Sequence, residues 1–316
     1  MGVEQEVGLT PEETAFGAPA PAATPPARGE AATPPAAPTG ALPYRSKRCR
    51  HGAFLYNARD RYIGRSLDLY GEYAELELQL LLRLIKPGDI VVEAGANIGT
   101  LCVPMARRVG PDGWVLAAEP QRLVHQMLCA NIAANGLANV VAHWCGLGAT
   151  AGVAVVPPLD HGQENNYGGV GLRGGGAGEH VPVVTIDSLD LPGCSLIKVD
   201  VEGMELDVLR GAAETIRRHQ PRLFVENNGT DGSPPLIAWL LEQGYRLYWH
   251  VTPLFNQGNF ANVREDVFTN VFSTNMLCLP PRDTAEVRGM RAVSGPEDTA
   301  LESQRRRRGA APAGRS

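Results

Sequence analysis

The stretch VVEAGANIGT, residues 91–100, decides the fold class of this 316-residue chain. Its apolar start is typical of a short buried strand ending at Glu93, and a turn through Gly95 and Asn97 then leads into a helix. In a doubly wound α/β fold this first turn lies outside the carboxyl ends of the strands, where nucleotide-like ligands bind. Glycine lets the backbone approach such a ligand closely, and the helix N-terminus offers unpaired N–H groups. The stretch therefore predicts the first strand, turn and helix of a Rossmann-like domain.

The sequence downstream of this stretch alternates between strand and helix patterns. Seven strands are predicted: IVVEA, WVLAAE, VVAHWC, SLIKVDV, RLFVE, YRLYWH and NMLCLP. Helical patterns separate most of them, and one of these, MELDVLRGAAETIRRH at residues 204–219, is predicted as a single helix. Strands that alternate with helices at this spacing imply an α/β fold with a mostly parallel seven-stranded sheet and helices on both faces.

The charge beside the first turn narrows the class of ligand. The dinucleotide fingerprint is G-x-G-x-x-G, and its helix N-terminus holds a pyrophosphate. Here the spacing is G-x-x-x-G, and the carboxylate of Glu93 would repel a pyrophosphate. That carboxylate suits a ligand with an ammonium and a sulfonium group, which is the charge pattern of S-adenosylmethionine. Glu119, at the end of the second strand, would accept hydrogen bonds from ribose hydroxyls in either cofactor. An NAD-dependent oxidoreductase is therefore the less favoured alternative.

Five segments, in their order and spacing, resemble the FkbM-type methyltransferases. They are VVEAGANIGT, AAEPQ, NIAANGL, IKVDVEGMELDVLRGA and PRLFVEN, and the resemblance covers about residues 50–280. It implies a class I methyltransferase fold, S-adenosylmethionine as methyl donor, and usually O-methylation of hydroxyls on sugars or secondary metabolites. The expected partner is thus a small-molecule or carbohydrate acceptor, by analogy with the family. The alternative is a non-catalytic module that binds the cofactor or a partner.

The resemblance also assigns the residues that bind the cofactor. Those expected to hold the methionine end are Glu93, Gly95, Asn97 and Gly99, and Glu119 would hold the ribose. Cys145 and Gly146, at the end of the third strand, would lie by the adenine. Ala96 and Pro120 stand within the same motifs and complete the set.

The carboxyl end of the fourth strand carries the residues that the resemblance places opposite the transferred methyl group. Asp200 is expected to orient the cofactor amine or to act as general base. Glu202 is a second catalytic candidate, with the alternative that it is an acid at a helix N-terminus, favoured by the dipole. His250 ends the sixth predicted strand and is a third candidate for the base.

Glu226 and Asn227 end the fifth predicted strand. Together with Asp200 they resemble the Mg²⁺ triad of catechol O-methyltransferase-like enzymes, and hard oxygen ligands suit this ion. Mg²⁺ at this position would lower the pKa of an acceptor hydroxyl. The alternative is that Glu226 and Asn227 only line the substrate pocket.

The composition divides the chain into four parts. They are a disordered Pro/Ala-rich tail over residues 1–44, a lead-in of hairpin and helix over 45–88, a methyltransferase domain over 89–280, and a disordered Arg-containing tail over 281–316. A Gly-rich insertion interrupts the domain at about residues 159–179. It is expected to fold over the site as a lid that brings Asn165 and Tyr167 to the substrate, with a flexible surface loop as the alternative.

Charge and hydropathy limit the partners. A formal net charge of −5 argues against a nucleic-acid partner. No segment approaches the roughly 18 apolar residues of a membrane span, so no membrane-spanning helix is expected. The six cysteines show no C-x-x-C spacing, which is typical of buried thiols in a reducing compartment. These features together predict a cytoplasmic protein.

Overall fold

The computed structural model describes residues 43–229 and 231–300. Most of the two predicted tails, residues 1–42 and 301–316, lies outside the described residues. None of the helices found between residues 43 and 300 is long and apolar enough to cross a bilayer.

The described part of the chain begins with a hairpin and two helices and then enters the main sheet. The lead-in contains β1 (Tyr44–Cys49), β2 (Gly52–Asn57), α1 (Ile63–Tyr70) and α2 (Glu75–Leu84). The next elements are β3 (Ile90–Ala94), α3 (Cys102–Val109), β4 (Trp114–Ala118), α4 (Arg122–Ala134), β5 (Val140–His143), β6 (Gly146–Leu147), β7 (Gly152–Val156) and β8 (Glu179–Val184). They are followed by β9 (Leu196–Val199), α5 (Glu205–Arg210), α6 (Ala213–His219), β10 (Arg222–Glu226), α7 (Ser233–Glu242), β11 (Arg246–Pro253), β12 (Phe272–Leu279) and β13 (Arg291–Ala292).

The main sheet has the strand order β5-β4-β3-β9-β10-β12-β11-β13. Five adjacent strands run parallel to one another: β5, β4, β3, β9 and β10. The next strand, β12, is antiparallel to both of its neighbours, β10 and β11. All seven predicted strands are present, and the fold is the predicted α/β class I methyltransferase arrangement. The sheet is mixed, however, because β11 returns to β12 through residues 254–271 without a crossover helix. It has eight strands because β13 adds to the edge of β11.

The central strands are short apolar runs because both faces of the sheet are covered. Val91 and Leu196 are register partners whose side chains join the core on the side of α2 and α3. Their neighbours Val92 and Ile197 join the core on the side of α5, α6 and α7. Successive side chains of a strand point to opposite faces, so fully apolar strands indicate burial on both. The polar residues of these strands therefore occur at their carboxyl ends.

The helix predicted over residues 204–219 is broken into α5 and α6. The chain turns at Gly211, where a Cβ atom would lie 2.0 Å from the carbonyl oxygen of Gly148. The Asp187 carboxylate then accepts the N–H groups of Glu214 and Thr215, at 3.0 and 2.8 Å, and so caps the start of α6. The break thus depends on segments that are distant in sequence.

Residues 281–300, predicted as part of the disordered tail, continue the folded domain. The two residues of β13 pair with Tyr248 and Trp249 of β11, and Ala300 is buried in the core. An ion pair of 2.8 Å joins Arg291 to Asp298 within the segment. These tertiary contacts offset the ordering entropy that the composition alone would leave uncompensated.

The insertion is docked on the domain. Its flanking strands β6, β7 and β8 form a small sheet, and residues 157–178 cross towards the lead-in. Asn165 forms an isolated bridge with Asp60, and Tyr167 is buried. The described loop therefore packs against the edge of the sheet on which the predicted site lies.

Candidate functional site

A cavity of about 360 Å³ lies at the carboxyl ends of β3, β4, β9 and β10. Eleven of the residues predicted for the site line it: Glu93, Gly95, Ala96, Asn97, Glu119, Pro120, Cys145, Gly146, Asp200, Glu202 and Glu226. Asn166 and Gly168 of the insertion contribute to the same wall. The arrangement is that of a ligand site in a doubly wound sheet.

The turn after β3 requires glycine at its first position. Gly95 has a φ of +78°, and a Cβ atom there would lie 1.9 Å from the carbonyl oxygen of Asp200. Asn97 also adopts a left-handed φ of +48°, and its Oδ1 accepts the N–H of Ile98 at 2.8 Å. This close approach brings the turn of β3 against the end of β9, so that both strand ends face one cavity.

Glu119 holds the turn in place from the end of β4. Its Oε2 accepts the N–H of Asn97 at 3.0 Å, and its Oε1 accepts the N–H of Gln121 at 2.9 Å. Burial raises the pKa of Glu119 to about 7, although the two N–H groups act to lower it. Each carboxylate oxygen can accept a second hydrogen bond, so the side chain can still hold ribose hydroxyls.

Glu93 places a buried carboxyl group on the cavity wall. It is 1% exposed, and its Oε2 has no hydrogen-bond partner among the described residues. Burial raises the pKa of Glu93 to about 8, while the nearby Lys198 acts to lower it. A buried carboxyl oxygen without a partner is unfavourable, and a cationic ligand would compensate it. The wall therefore fits the ammonium and sulfonium groups of S-adenosylmethionine.

Lys198 is a site residue that the sequence analysis missed. It occupies the third position of β9, is 2% exposed, and donates from Nζ to Oδ2 of Asp200 at 3.0 Å. Burial alone would lower its pKa, but the carboxylates of Asp200, Glu93 and Glu77 raise it above the usual value. The sequence signal for Lys198 is a lysine inside the otherwise apolar run LIKV. A charge buried there without a counter-charge would be too costly, so the lysine implies carboxylates nearby.

Three carboxyl groups meet at the carboxyl ends of β9 and β10. Oxygen atoms of Asp200, Glu202 and Glu226 all lie within 4.8 Å of one another. Burial and the charges of Asp200 and Glu202 raise the pKa of Glu226 well above its usual range. Burial, followed by the charge of Asp200, also raises the pKa of Glu202 to about 7. The cluster therefore combines two groups with raised pKa values, Glu202 and Glu226, with Asp200, which forms an ion pair with Lys198.

Of the predicted metal set Asp200, Glu226 and Asn227, the structure does not bring Asn227 to the cavity wall. The Asn227 side chain donates to Sδ of Met276 at 3.5 Å and accepts the N–H of Gly229 at 3.1 Å. Glu226 and Asn228, the residues before and after Asn227, both line the cavity, because alternate side chains of an extended chain face the same way. Glu202 stands in the cluster where Asn227 was expected, and it precedes α5 with a φ of +52°.

His250 lies outside the cavity wall. The prediction took it as the last residue of its strand, but β11 continues to Pro253, and His250 packs edge-on against Phe224 at 5.5 Å. Gly99 also lies off the wall, and a Cβ atom there would lie 2.7 Å from Leu128 of α4. His250 is therefore part of the sheet interior, and Gly99 allows α4 to approach the turn.

Asn165 and Tyr167 hold the insertion in place and do not line the cavity. The backbone of Asn165 bonds to Arg59 and Arg61. The ring of Tyr167 stacks on His161 at 4.5 Å, and its hydroxyl lies within hydrogen-bond distance of two carbonyl groups in the loop. The residues that reach the cavity are the neighbouring Asn166 and Gly168.

Comparison with known proteins gives a consistent assignment. The family model of the methyltransferase FkbM domain matches residues 93–247. The chain is 33% identical to the methyltransferase sdnD of Sordaria araneosa over 186 residues, which cover 48% of this chain and 71% of that protein. It is 29% identical to methyltransferase 1 of Beauveria bassiana (strain ARSEF 2860) over 148 residues, which cover 40% of this chain and 59% of that protein.

Among solved structures, methyltransferase FkbM from Methylobacillus flagellatus KT aligns with a TM-score of 0.40 at 20% identity, covering 60% of this chain and 43% of that one. The match to the family model begins at Glu93, the first strand-end acid of the cavity, and extends past Glu226, the last. The chain belongs to the FkbM methyltransferase family.

Proposed function

We propose that this protein transfers the methyl group of S-adenosylmethionine to a hydroxyl of a carbohydrate or related small metabolite. The observation that carries the proposal is the buried Glu93 carboxyl oxygen, which has no hydrogen-bond partner among the described residues. The same cavity contains Glu119, whose carboxylate accepts two backbone N–H groups. Glu93 would compensate the cationic methionine end, and Glu119 would hold the ribose. Membership of a methyltransferase family excludes the oxidoreductase alternative.

The charge of the wall supports this cofactor. Among the described residues that line the cavity, six are carboxylic acids (Glu77, Glu93, Glu119, Asp200, Glu202 and Glu226) and one is a lysine, Lys198. Such a wall attracts a sulfonium and repels a pyrophosphate. It also favours neutral or cationic acceptors over phosphorylated or carboxylated ones, which agrees with a carbohydrate hydroxyl and argues against nucleic acid.

Asp200 is the proposed general base. S-Adenosylmethionine supplies an electrophilic methyl group, and an acceptor hydroxyl must lose its proton as it attacks. Lys198 balances the charge of Asp200 at 3.0 Å, whereas the raised pKa of Glu226 favours a proton on that group. A carboxyl group that holds its proton beside a carboxylate paired with a lysine allows the two groups to take separate acid and base roles. Glu226 would then hold the acceptor by donating a hydrogen bond.

Mg²⁺ is a separable element of the proposal. Asp200, Glu202 and Glu226 would supply hard oxygen ligands, and the bound ion would lower the pKa of the acceptor hydroxyl. Once an acceptor is identified, initial rates with and without EDTA decide this element. Rates that EDTA leaves unchanged would leave Asp200 as base without a metal.

We also propose that the protein is cytoplasmic. All six cysteines are free thiols, and five of them are buried. Thiols that remain unpaired are favoured in a reducing compartment. Fractionation of the source cells with an antibody to the chain tests this point, and recovery in the culture medium would contradict it.

The first test is a calorimetric titration with S-adenosylhomocysteine and, separately, with NADH. We expect micromolar affinity for S-adenosylhomocysteine alone, weakened at least about tenfold by Glu119→Ala because a ribose contact is lost. Glu164→Ala is the matched control, because this exposed glutamate of the insertion bonds only to Arg61 among the described residues. Binding of NADH alone, or of neither ligand, would overturn the proposal.

An acceptor screen follows from the charge of the cavity. A neutral sugar, its amino counterpart and its phosphorylated counterpart are compared with radiolabelled donor. We expect turnover of the neutral or amino compound and none of the phosphorylated one. Cofactor affinity without turnover of any acceptor would favour the non-catalytic module.

A further inference from the structure

Gln121 joins the cofactor cavity to the insertion. It follows Glu119 and Pro120 directly, lines the cavity, and is 5% exposed. Its backbone N–H donates to Oε1 of Glu119 at 2.9 Å, and its side-chain Nε2 donates to the backbone carbonyl of Tyr167 at 2.7 Å. Gln121 thus contacts the strand-end acid through its backbone and the insertion through its side chain.

These contacts fix which way the Gln121 amide faces. The Tyr167 carbonyl can only accept a hydrogen bond, so the NH₂ group of Gln121 must face it and the amide oxygen must face away. That oxygen is screened from bulk water and has no hydrogen-bond partner among the described residues. A glutamine with a purely structural role would have both ends of its amide satisfied. The oxygen therefore lacks a donor.

The surroundings of Gln121 indicate which part of a ligand supplies this donor. Glu119, two residues earlier, directly follows β4, and Cys145 and Gly146 line the cavity just after β5, the strand that pairs with β4. The methionine side of the cavity, with Glu93 and Lys198, belongs to β3 and β9. A ligand donor that reaches Gln121 therefore belongs to the adenosyl half of the cofactor.

We propose that the amide oxygen of Gln121 accepts a hydrogen bond from the adenosyl group and selects this group over other nucleosides. The inference rests on the proposed function, because it assumes S-adenosylmethionine as the ligand. The donor is the exocyclic amine of adenine or a ribose hydroxyl. The insertion takes part in the selection, because the Tyr167 carbonyl orients the amide. That carbonyl is in turn held by the stacking of the Tyr167 ring on His161.

Calorimetry with three ligands tests the proposal and distinguishes the two donors. The ligands are S-adenosylhomocysteine, S-inosylhomocysteine, in which a carbonyl replaces the amine, and the 2′-deoxy analogue of S-adenosylhomocysteine. We expect the wild type to prefer S-adenosylhomocysteine over one analogue by at least about tenfold. In Gln121→Met, which keeps the length but removes the acceptor, this preference should fall to within about threefold. The analogue whose penalty disappears identifies the donor.

Ratios of affinities within one variant separate recognition from a general loss of binding. Gln79→Met is the matched control, because Gln79 lies on α2, bonds to Glu75 and does not line the cavity. Gln121→Asn, which withdraws the oxygen but keeps an amide, replaces the methionine variant if that variant does not fold. A variant that keeps both wild-type ratios would overturn the inference alone, whereas a wild type that binds none of the three ligands would overturn the proposed function as well.

Discussion

Glu93 carries a buried carboxyl group whose ionisation depends on what lies beside it. In the free protein its raised pKa, about 8, means that it holds a proton at neutral pH. A cationic ligand favours the ionised form, so binding must release this proton below pH 8. The release costs progressively less as the pH rises towards 8. The residue therefore couples cofactor affinity to pH.

We expect the affinity for S-adenosylmethionine to rise between pH 6 and pH 8, by up to about tenfold per unit. Glu93→Gln should bind more weakly at pH 8 and show a smaller slope, because glutamine has no proton to release. Titrations of both proteins across this range measure the slopes, and their difference cancels the titration of the ligand itself. Equal slopes would contradict the assignment of Glu93 to the cationic end.

Lys198, which is buried, forms an ion pair with the partly exposed Asp200, and the loss of this pair should be visible in stability. Removing one partner of such a pair leaves the other uncompensated, which typically costs about 3–5 kcal/mol. We expect Lys198→Met to lower the free energy of unfolding by about 3 kcal/mol, at the low end because the Asp200 side chain is 37% exposed. Urea denaturation measures the change, and Lys198→Met with Asp200→Asn should recover part of it.

The control for this pair is Arg217→Met. Arg217 pairs with Glu214 at 2.6 Å on an exposed face of α6, where solvent screens the interaction. This substitution should leave the urea midpoint unchanged. An equal loss in both variants would mean that the burial of Lys198 does not distinguish its ion pair from one on the surface.

At the scale of elements, the site depends on how closely the turn of β3 approaches the end of β9. We expect Gly95→Ala to abolish binding of S-adenosylhomocysteine and to destabilise the fold, because a Cβ atom would lie 1.9 Å from the Asp200 carbonyl oxygen. Gly88→Ala is the matched control, with a similar φ of +85° and no atom within 4 Å of the added Cβ. It should cost only the left-handed strain, about 1–2 kcal/mol, and keep binding.

Thermal unfolding and calorimetry of the two glycine variants separate strain from close contact. If both variants lose cofactor binding equally, the backbone conformation alone accounts for the loss. If neither does, the approach of the two strand ends is not required for the site.

The elements that sequence could predict are those whose pattern is local. Apolar runs identified every strand from β3 to β5 and from β9 to β12, and the order of the motifs brought the strand-end acids to one edge. The break at Gly211 and the ordering of residues 281–300 depend on contacts with Gly148 and β11, which no local pattern contains. The predictions of Asn227 and Tyr167 each missed by one position a residue that lines the cavity. Beyond a strand end, the direction in which successive side chains face depends on the turn that follows.

At the scale of the whole molecule, the cavity concentrates buried acids in the ligand-free protein. Burial raises the pKa values of Glu93, Glu119 and Glu202 to between about 7 and 8. The unfolded chain ionises these groups near pH 4.3, whereas the folded protein ionises them only near neutral pH. Their contribution to stability is therefore fully present below about pH 4.3 and is lost as the pH rises through 7 and 8.

We expect the thermal midpoint of the ligand-free protein to fall between pH 5 and pH 8.5. The loss should be on the order of several kcal/mol, or roughly 5–10 °C for a domain of this size. This window avoids acid unfolding, since the lowered pKa values of Asp283 and Asp298 cost stability only as the pH falls below about 4. Saturating S-adenosylmethionine should reduce the fall, because its positive charge favours the ionised acids. Glu93→Gln should make the fall smaller even without ligand, because the glutamine cannot ionise. A wild-type midpoint that is constant or rises over this range would mean that the strand-end acids are already ionised in the free protein.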